Sequence, residues 1–211
     1  MSKEESMFDG QPVMTFDNEH DRRNFLKWAG IFGVGTTLAV GGAKNFASAQ
    51  AEDSDLEILN YALTLEYLEA DFYKRGVDSG VLSGRELALV TPIRDHEEAH
   101  VGALTSTIND LGGTPVKEPK FKYPAGTFDD KKKFLETASV FEELGVKAYH
   151  GQVTKVKDVA ILGAAAAIAG VESRHAAVLA DLTGGNPFPA PVEATLSMAE
   201  VLEAATPFIK S

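Results

Sequence analysis

The sequence predicts an all-α protein: two helical hairpins joined by one long crossover and followed by a short C-terminal helix. Three observations carry that expectation. Apolar residues recur at helical spacing from Leu56 through Phe72 and in three later segments. No stretch alternates apolar and polar residues as a half-buried strand would. The breakers Gly113, Pro115, Pro119 and Pro124 gather in residues 112–128, where neither period survives.

The elements follow in chain order. Residues 21–27 read Asp-Arg-Arg-Asn-Phe-Leu-Lys, and an apolar run rich in Gly and Ala extends from Trp28 to Ala43 before Ala47-Ser48-Ala49. A charged start, a short apolar centre and a small-x-small cleavage site make a secretory signal. The paired Arg22 and Arg23 before x-Phe-Leu-Lys resemble the twin-arginine signal, which implies export of a folded protein. The run is shorter than the ~20 residues of a membrane span. Residues 1–49 are therefore expected to be a signal peptide cleaved after Ala49, or kept as an anchor.

The first helix starts at the capping box Ser54-Asp55-Leu56-Glu57 and is expected to end near Gly76; a second box, Ser83-Gly84-Arg85-Glu86, opens the next, which stops at Gly112-Gly113. Pro92 predicts a kink or a fresh start with Thr91 as cap. A third helix is expected from about Asp130 to His150, and a fourth from about Thr154 to Leu182, closed by Gly184-Gly185. After a Pro-rich segment, Ser197 to Ala205 reads as a short fifth helix. Residues 50–185 thus form the bundle and 186–211 an extension.

Composition narrows the chemistry. The 211 residues carry 20 basic and 31 acidic side chains, a net charge of −11, which offers no basic face for nucleic acid. No cysteine is present, which removes disulfides, thiol nucleophiles, Cys-held zinc and iron–sulfur centres. Any metal must be held by Glu, Asp and His.

Those ligands recur in a repeat. Glu66 with Tyr73 aligns with Glu142 with Tyr149 at an offset of 76, and Glu97-Glu98-Ala99-His100 aligns with Glu172-Ser173-Arg174-His175 at an offset of 75. Each half therefore carries a lone Glu on one helix and Glu-x-x-His on the next. Spacing of i, i+3 puts Glu and His on one helical face. Two such halves give four carboxylates and two imidazoles, the ligand set for two divalent ions. Glu66, Glu97, Glu142 and Glu172 each fall in an apolar stripe without Lys or Arg, whereas Glu143 shares a face with Glu136, Lys147 and His150 and should face solvent. Buried carboxylates without a cation cost several kcal/mol each, and divalent metals would remove that cost.

With these motifs the chain resembles the ferritin-like superfamily over about residues 54–184, and most of all its exported bacterial branch that includes desiccation-related proteins. The resemblance implies a ferritin-like four-helix bundle, with Glu66, Glu97, His100, Glu142, Glu172 and His175 matching the metal ligands. Tyr73 and Tyr149 match tyrosines just outside the ligand sphere. Some relatives place Asp before the Glu of Glu-x-x-His to orient a histidine; His96 and Val171 stand there instead. His96 and His150 are expected to face solvent.

The expected cofactor is two divalent ions, iron first and manganese as the alternative. The expected function is redox chemistry on oxygen or peroxide, or iron oxidation, in stress protection. The alternative is a non-catalytic protein that sequesters metal or serves a structural role under stress. No catalytic residue is assigned. The expected partners are the metal ions, oxygen or peroxide and the twin-arginine translocase, with no membrane contact after cleavage and a homo-oligomer left open. The expected location is the periplasm, cell envelope or exterior.

Overall fold

The computed structural model describes residues 53–210. The signal expected over 1–49 lies outside the described residues. Five helices follow in order: α1 Asp53–Ser79, α2 Gly84–Asp110, α3 Lys131–Gln152, α4 Val159–Thr183 and α5 Met198–Ala205. A 3₁₀ turn, Thr206–Phe208, closes the chain. Among the described residues the sole strand-like pairing is an isolated antiparallel bridge between Phe121 and Ile209. It ties the crossover to the C-terminus. No described helix is long and apolar enough to cross a membrane.

Helix α1 pairs with α2 and α3 with α4, while α1–α3 and α2–α4 contacts close the bundle. The crossover, residues 111–130, runs along α1: Val116 N–H donates to Asn60 Oδ1, and Tyr123 Oη donates to Asp71 Oδ2. Its Tyr123 and Phe128 join Phe72, Phe134 and Phe141 in an aromatic cluster, with Phe72 stacked on Phe134 at 4.7 Å between ring centres. Gly76 makes that packing possible. A Cβ there would stand 2.0 Å from Phe134 Cε2, so only glycine fits.

Helix ends depart from the sequence reading in instructive ways. α1 runs on to Ser79 rather than stopping near Gly76. Its opening is not a capping box: Ser54 Oγ has no hydrogen-bond partner, and Asp55 accepts the backbone N–H groups of Lys157 at 3.1 Å and Asp158 at 2.9 Å, pinning α1 to the α3–α4 loop. Ser83 occupies the N-cap of α2 with extended backbone but makes no cap bond, and the Glu86 carboxylate pairs with Lys131. A capping box does form at Ser197 and Glu200, opening α5. Pro92 neither breaks nor restarts α2. Thr91 does not cap; its hydroxyl donates to Leu87 O at 2.7 Å, one turn back.

The fourth helix starts at Val159, not near Thr154, with Asp158 capping Ala160 and Ile161. Moving the turn to 153–158 brings Glu142 and Glu172 to one level. α4 ends as expected at Gly184, whose φ of +77° suits a residue without Cβ.

Candidate metal centre

The bundle brings all six expected ligands together at its middle. Glu66, Glu97, Glu142 and Glu172 are fully buried, one on each long helix, with His100 and His175 almost so. Glu66, Glu97, His100 and Glu172 offer ligand atoms within 4.8 Å of one another, and so do Glu97, Glu142, Glu172 and His175. The two groups share Glu97 and Glu172. Two cations held by these groups would have Glu97 and Glu172 in common.

Distances support the fit. His100 Nδ1 stands 3.2 Å from Glu66 Oε2, 3.3 Å from Glu97 Oε2 and 3.2 Å from Glu172 Oε1. His175 Nδ1 stands 3.0 Å from Glu97 Oε1 and 3.3 Å from Glu142 Oε2. Adjacent ligands on an octahedral ion at about 2.1 Å would lie about 3.0 Å apart. Glu97 thus turns one oxygen to each histidine. Glu97 Oε1, Glu142 Oε2, both oxygens of Glu172 and His175 Nδ1 are nevertheless buried without a hydrogen-bond partner. They are close but misaligned, converging on shared points rather than on one another, as donor atoms around a cation do.

Two tyrosines fix the outer carboxylates. Tyr73 donates to Glu142 Oε1 at 2.5 Å, and Tyr149 donates to Glu66 Oε1. Each tyrosine thus crosses to the helix of the other half. Both phenols are pushed well above their ordinary range by burial and by the carboxylates they serve, so they remain donors.

Four buried carboxylates share the cluster with two imidazoles. Burial raises Glu66 to about 7, with Glu97 adding to the effect and His100 opposing it. Burial and the neighbouring carboxylates hold Glu172 well above the usual range. Burial also opposes ionisation of Glu97, but His100 and His175 outweigh it and keep Glu97 ionised. Both histidines, despite burial, are raised by the carboxylates around them. Divalent ions bound there would balance this charge and compete with those protons.

Two groups here escaped the sequence reading. His96 does not face solvent: it is half-buried, its Nδ1 lies 2.9 Å from His175 Nε2, and the rings stack. His150 is also half-buried, its Nδ1 bonded to Val146 O at 2.8 Å. Glu69 is the other omission. It is buried, and burial with Glu172 and Glu142 holds its carboxyl well above the ordinary range. Its mate in the repeat is Gly145, where a Cβ would lie 3.2 Å from both Glu69 Oε1 and Glu172 Oε2. Glycine in one half makes room for a fifth carboxylate from the other. The i, i+3 spacing of Glu66 and Glu69 was the available signal. Glu143 lies on the outer face and pairs with Lys147 at 3.1 Å.

Residues 54–185 match the family model described as a ferritin-like domain. The chain belongs to the ferritin-like family. Among solved structures, this ferritin-like chain is similar to a ferritin-like, diiron-carboxylate protein from Bacillus anthracis. The match has 24% identity and a TM-score of 0.50, over 61% of this chain and 94% of that one. A hypothetical protein from Methanococcus jannaschii is similar at 11% identity and a TM-score of 0.44, over 81% and 98% of the respective chains. No curated protein matches the chain. The ferritin-like bundle therefore carries a buried carboxylate and histidine cluster compatible with metal binding.

Proposed function

We propose that the protein holds two redox-active divalent ions, iron first and manganese as the alternative, and uses them on oxygen or peroxide in stress protection. The observation that carries this reading is the pair of four-ligand groups sharing Glu97 and Glu172. Glu66 and His100 would hold one ion, Glu142 and His175 the other, with Glu97 and Glu172 common to both. Bound there, iron or manganese would supply reversible electron transfer to a small oxidant.

The chain's own residues prepare the place. Tyr73 and Tyr149 keep Glu142 and Glu66 from swinging away, and His96 accepts from His175 Nε2 so that Nδ1 is free to ligate. Glu69 adds a fifth buried carboxyl beside Glu172 and Glu142. Leu63, Val90, Ile93, Leu104 and Leu179 are buried around it and exclude bulk water.

We further propose that the twin-arginine segment exports the protein to the periplasm, envelope or exterior. Arg22→Lys with Arg23→Lys should then leave the precursor in the cytoplasm; normal appearance of the mature form outside would refute the route. The central test is metal analysis of protein from its native host, followed by peroxide-consumption and ferrous-oxidation assays. Two ions per chain with turnover support the redox reading. Two ions without turnover favour sequestration or a structural metal.

A further inference from the structure

A cavity of about 210 Å³ lies between α1, α3 and α4, with α2 contributing Ala103, Leu104 and Thr107 to its wall. No carboxylate, lysine or arginine lines it. Exposed Val153 and Gly170 are among its lining residues, which places one side of it at the surface.

The internal repeat explains why the space exists. At the offset of 76, Ile58, Leu65 and Ala148, which line the cavity, are the mates of Phe134, Phe141 and Phe72. Those phenylalanines pack against one another in the other half, Phe72 on Phe134 at 4.7 Å and on Phe141 at 5.0 Å. One half of the bundle fills this position with aromatic rings. The other half leaves it to an isoleucine, a leucine and an alanine.

The cavity wall also holds polar groups with nothing to bond. Gln152 and Tyr61 line it, both are more than nine-tenths buried, and Gln152 Oε1, Gln152 Nε2 and Tyr61 Oη have no hydrogen-bond partner. Leaving such groups unsatisfied is costly, so native interiors seldom tolerate it. Gln152 is the repeat mate of Gly76, the residue that makes way for the Phe134 ring. An amide thus stands where the other half has bare backbone.

We propose that this cavity binds a neutral single-ring aromatic molecule carrying one hydroxyl group, with the ring between Ile58, Leu65 and Ala148 and the hydroxyl on Gln152 and Tyr61. The ring takes the place of the phenylalanines of the other half. A hydroxyl both donates and accepts, which suits an amide and a phenol together. Neutrality follows from a wall without carboxylate, lysine or arginine, where a buried charge would go unpaired. Size agrees: an engineered apolar cavity of about 150 Å³ takes benzene, so the present one has room for a ring with a substituent. Tyr149 also lines the cavity, so the occupant would be one tyrosine ring away from Glu66.

Titration of the full-length protein with phenol, and separately with toluene, by calorimetry and thermal shift tests the assignment. Phenol should bind saturably with a dissociation constant of about 1 mM or below, and about fivefold tighter than toluene for the added hydrogen bonding. Ala148→Phe, which copies Phe72, should lower phenol affinity at least tenfold while raising the melting temperature. Should that variant fail to fold, Leu65→Phe, which copies Phe141, serves the same purpose. Gln152→Leu should erase the preference for phenol over toluene. Absence of saturable phenol binding would overturn the proposal. Binding undiminished in the filled variant, or a preference undiminished in Gln152→Leu, would overturn it equally.

Discussion

His96 Nδ1 meets His175 Nε2 at 2.9 Å, with the two imidazole planes inclined by only 15°. A histidine that gives Nδ1 to a metal carries its proton on Nε2, and that proton needs an acceptor. Burial, helped by His175 and His100, lowers His96 to about 4, so it stays neutral and able to accept. His96 therefore does the work that a carboxylate does elsewhere, with a weaker pull on the ligand. His96→Ala should weaken metal binding by roughly 10–100-fold. His96→Asp should restore it or tighten it, read by competition with a metal-responsive dye. Equal affinity in all three proteins would show that the contact does not tune the site.

The protonation pattern sets how the metal-free protein responds to pH. Glu66, Glu69 and Glu172 lie above the ordinary carboxylate value, and His100 and His175 above the ordinary imidazole value. Each binds its proton more tightly folded than unfolded, so its contribution is full below the unfolded value and is lost as pH rises through the folded one. For Glu66 the window runs from 4.5 to about 7, worth about 3 kcal/mol alone. Glu97, held low, acts the other way, in more acid solution. With a chelator present, stability should fall from about pH 5.5 to pH 8.5. Saturating Mn(II) should reverse that slope, because bound metal displaces the protons. Urea midpoints at both pH values check it; a flat metal-free profile would contradict the pattern.

Much of this site was legible because helical periodicity is a strong signal wherever polar residues interrupt an apolar stripe. Glu66 has Leu59, Leu63 and Tyr73 at neighbouring helical positions, and all are buried with it. The start of α4 is not legible in the sequence because residues 153–158 contain no glycine or proline to mark the turn. The capping aspartate at its end is the only local sign. His96 was illegible for a different reason. It stands one residue before Glu97, off the centre of the apolar face, and only the packing of α2 against α4 brings His175 to it. The apparent capping boxes at Ser54 and Ser83 do not form: Ser54 Oγ has no hydrogen-bond partner, Ser83 makes no cap bond, and the Glu86 carboxylate pairs with Lys131.

Glu69 and Gly145 form a second complementary pair open to test. Glu69→Gln keeps the shape but removes the ionisable group whose burial raises its value. The variant should stabilise the metal-free protein more at pH 8 than at pH 5, by about 1–3 kcal/mol. Gly145→Ala inserts a methyl 3.2 Å from Glu69 Oε1 and Glu172 Oε2, closer than ordinary contact. It should displace one of them and weaken metal binding, while Glu69→Gln combined with Gly145→Ala should show a smaller loss than the sum of the singles. Strict additivity in that cycle would mean the two residues do not share the space.

Adjacent residues of α3 supply the sharpest control on the centre as a whole. Glu142 is fully buried and held by Tyr73, whereas Glu143, one residue on, pairs with Lys147 at the surface. A ligand bound only by the folded state adds roughly 3–4 kcal/mol at a hundred to a thousand times its dissociation constant. For a chain of this size that is a rise in melting temperature of roughly 10 °C. Fe(II) under anaerobic conditions, or Mn(II), should produce that rise in the unmutated protein. Glu142→Ala should abolish most of it, since one group of four then loses an anchor and Tyr73 its acceptor. Glu143→Ala gives up only an exposed ion pair, worth under about 1 kcal/mol, and should keep the rise intact. Equal effects would place the metal away from this face of α3. No rise in the unmutated protein between about pH 6 and pH 8, where the cluster can still exchange protons for cations, would remove the metal from the folded state altogether.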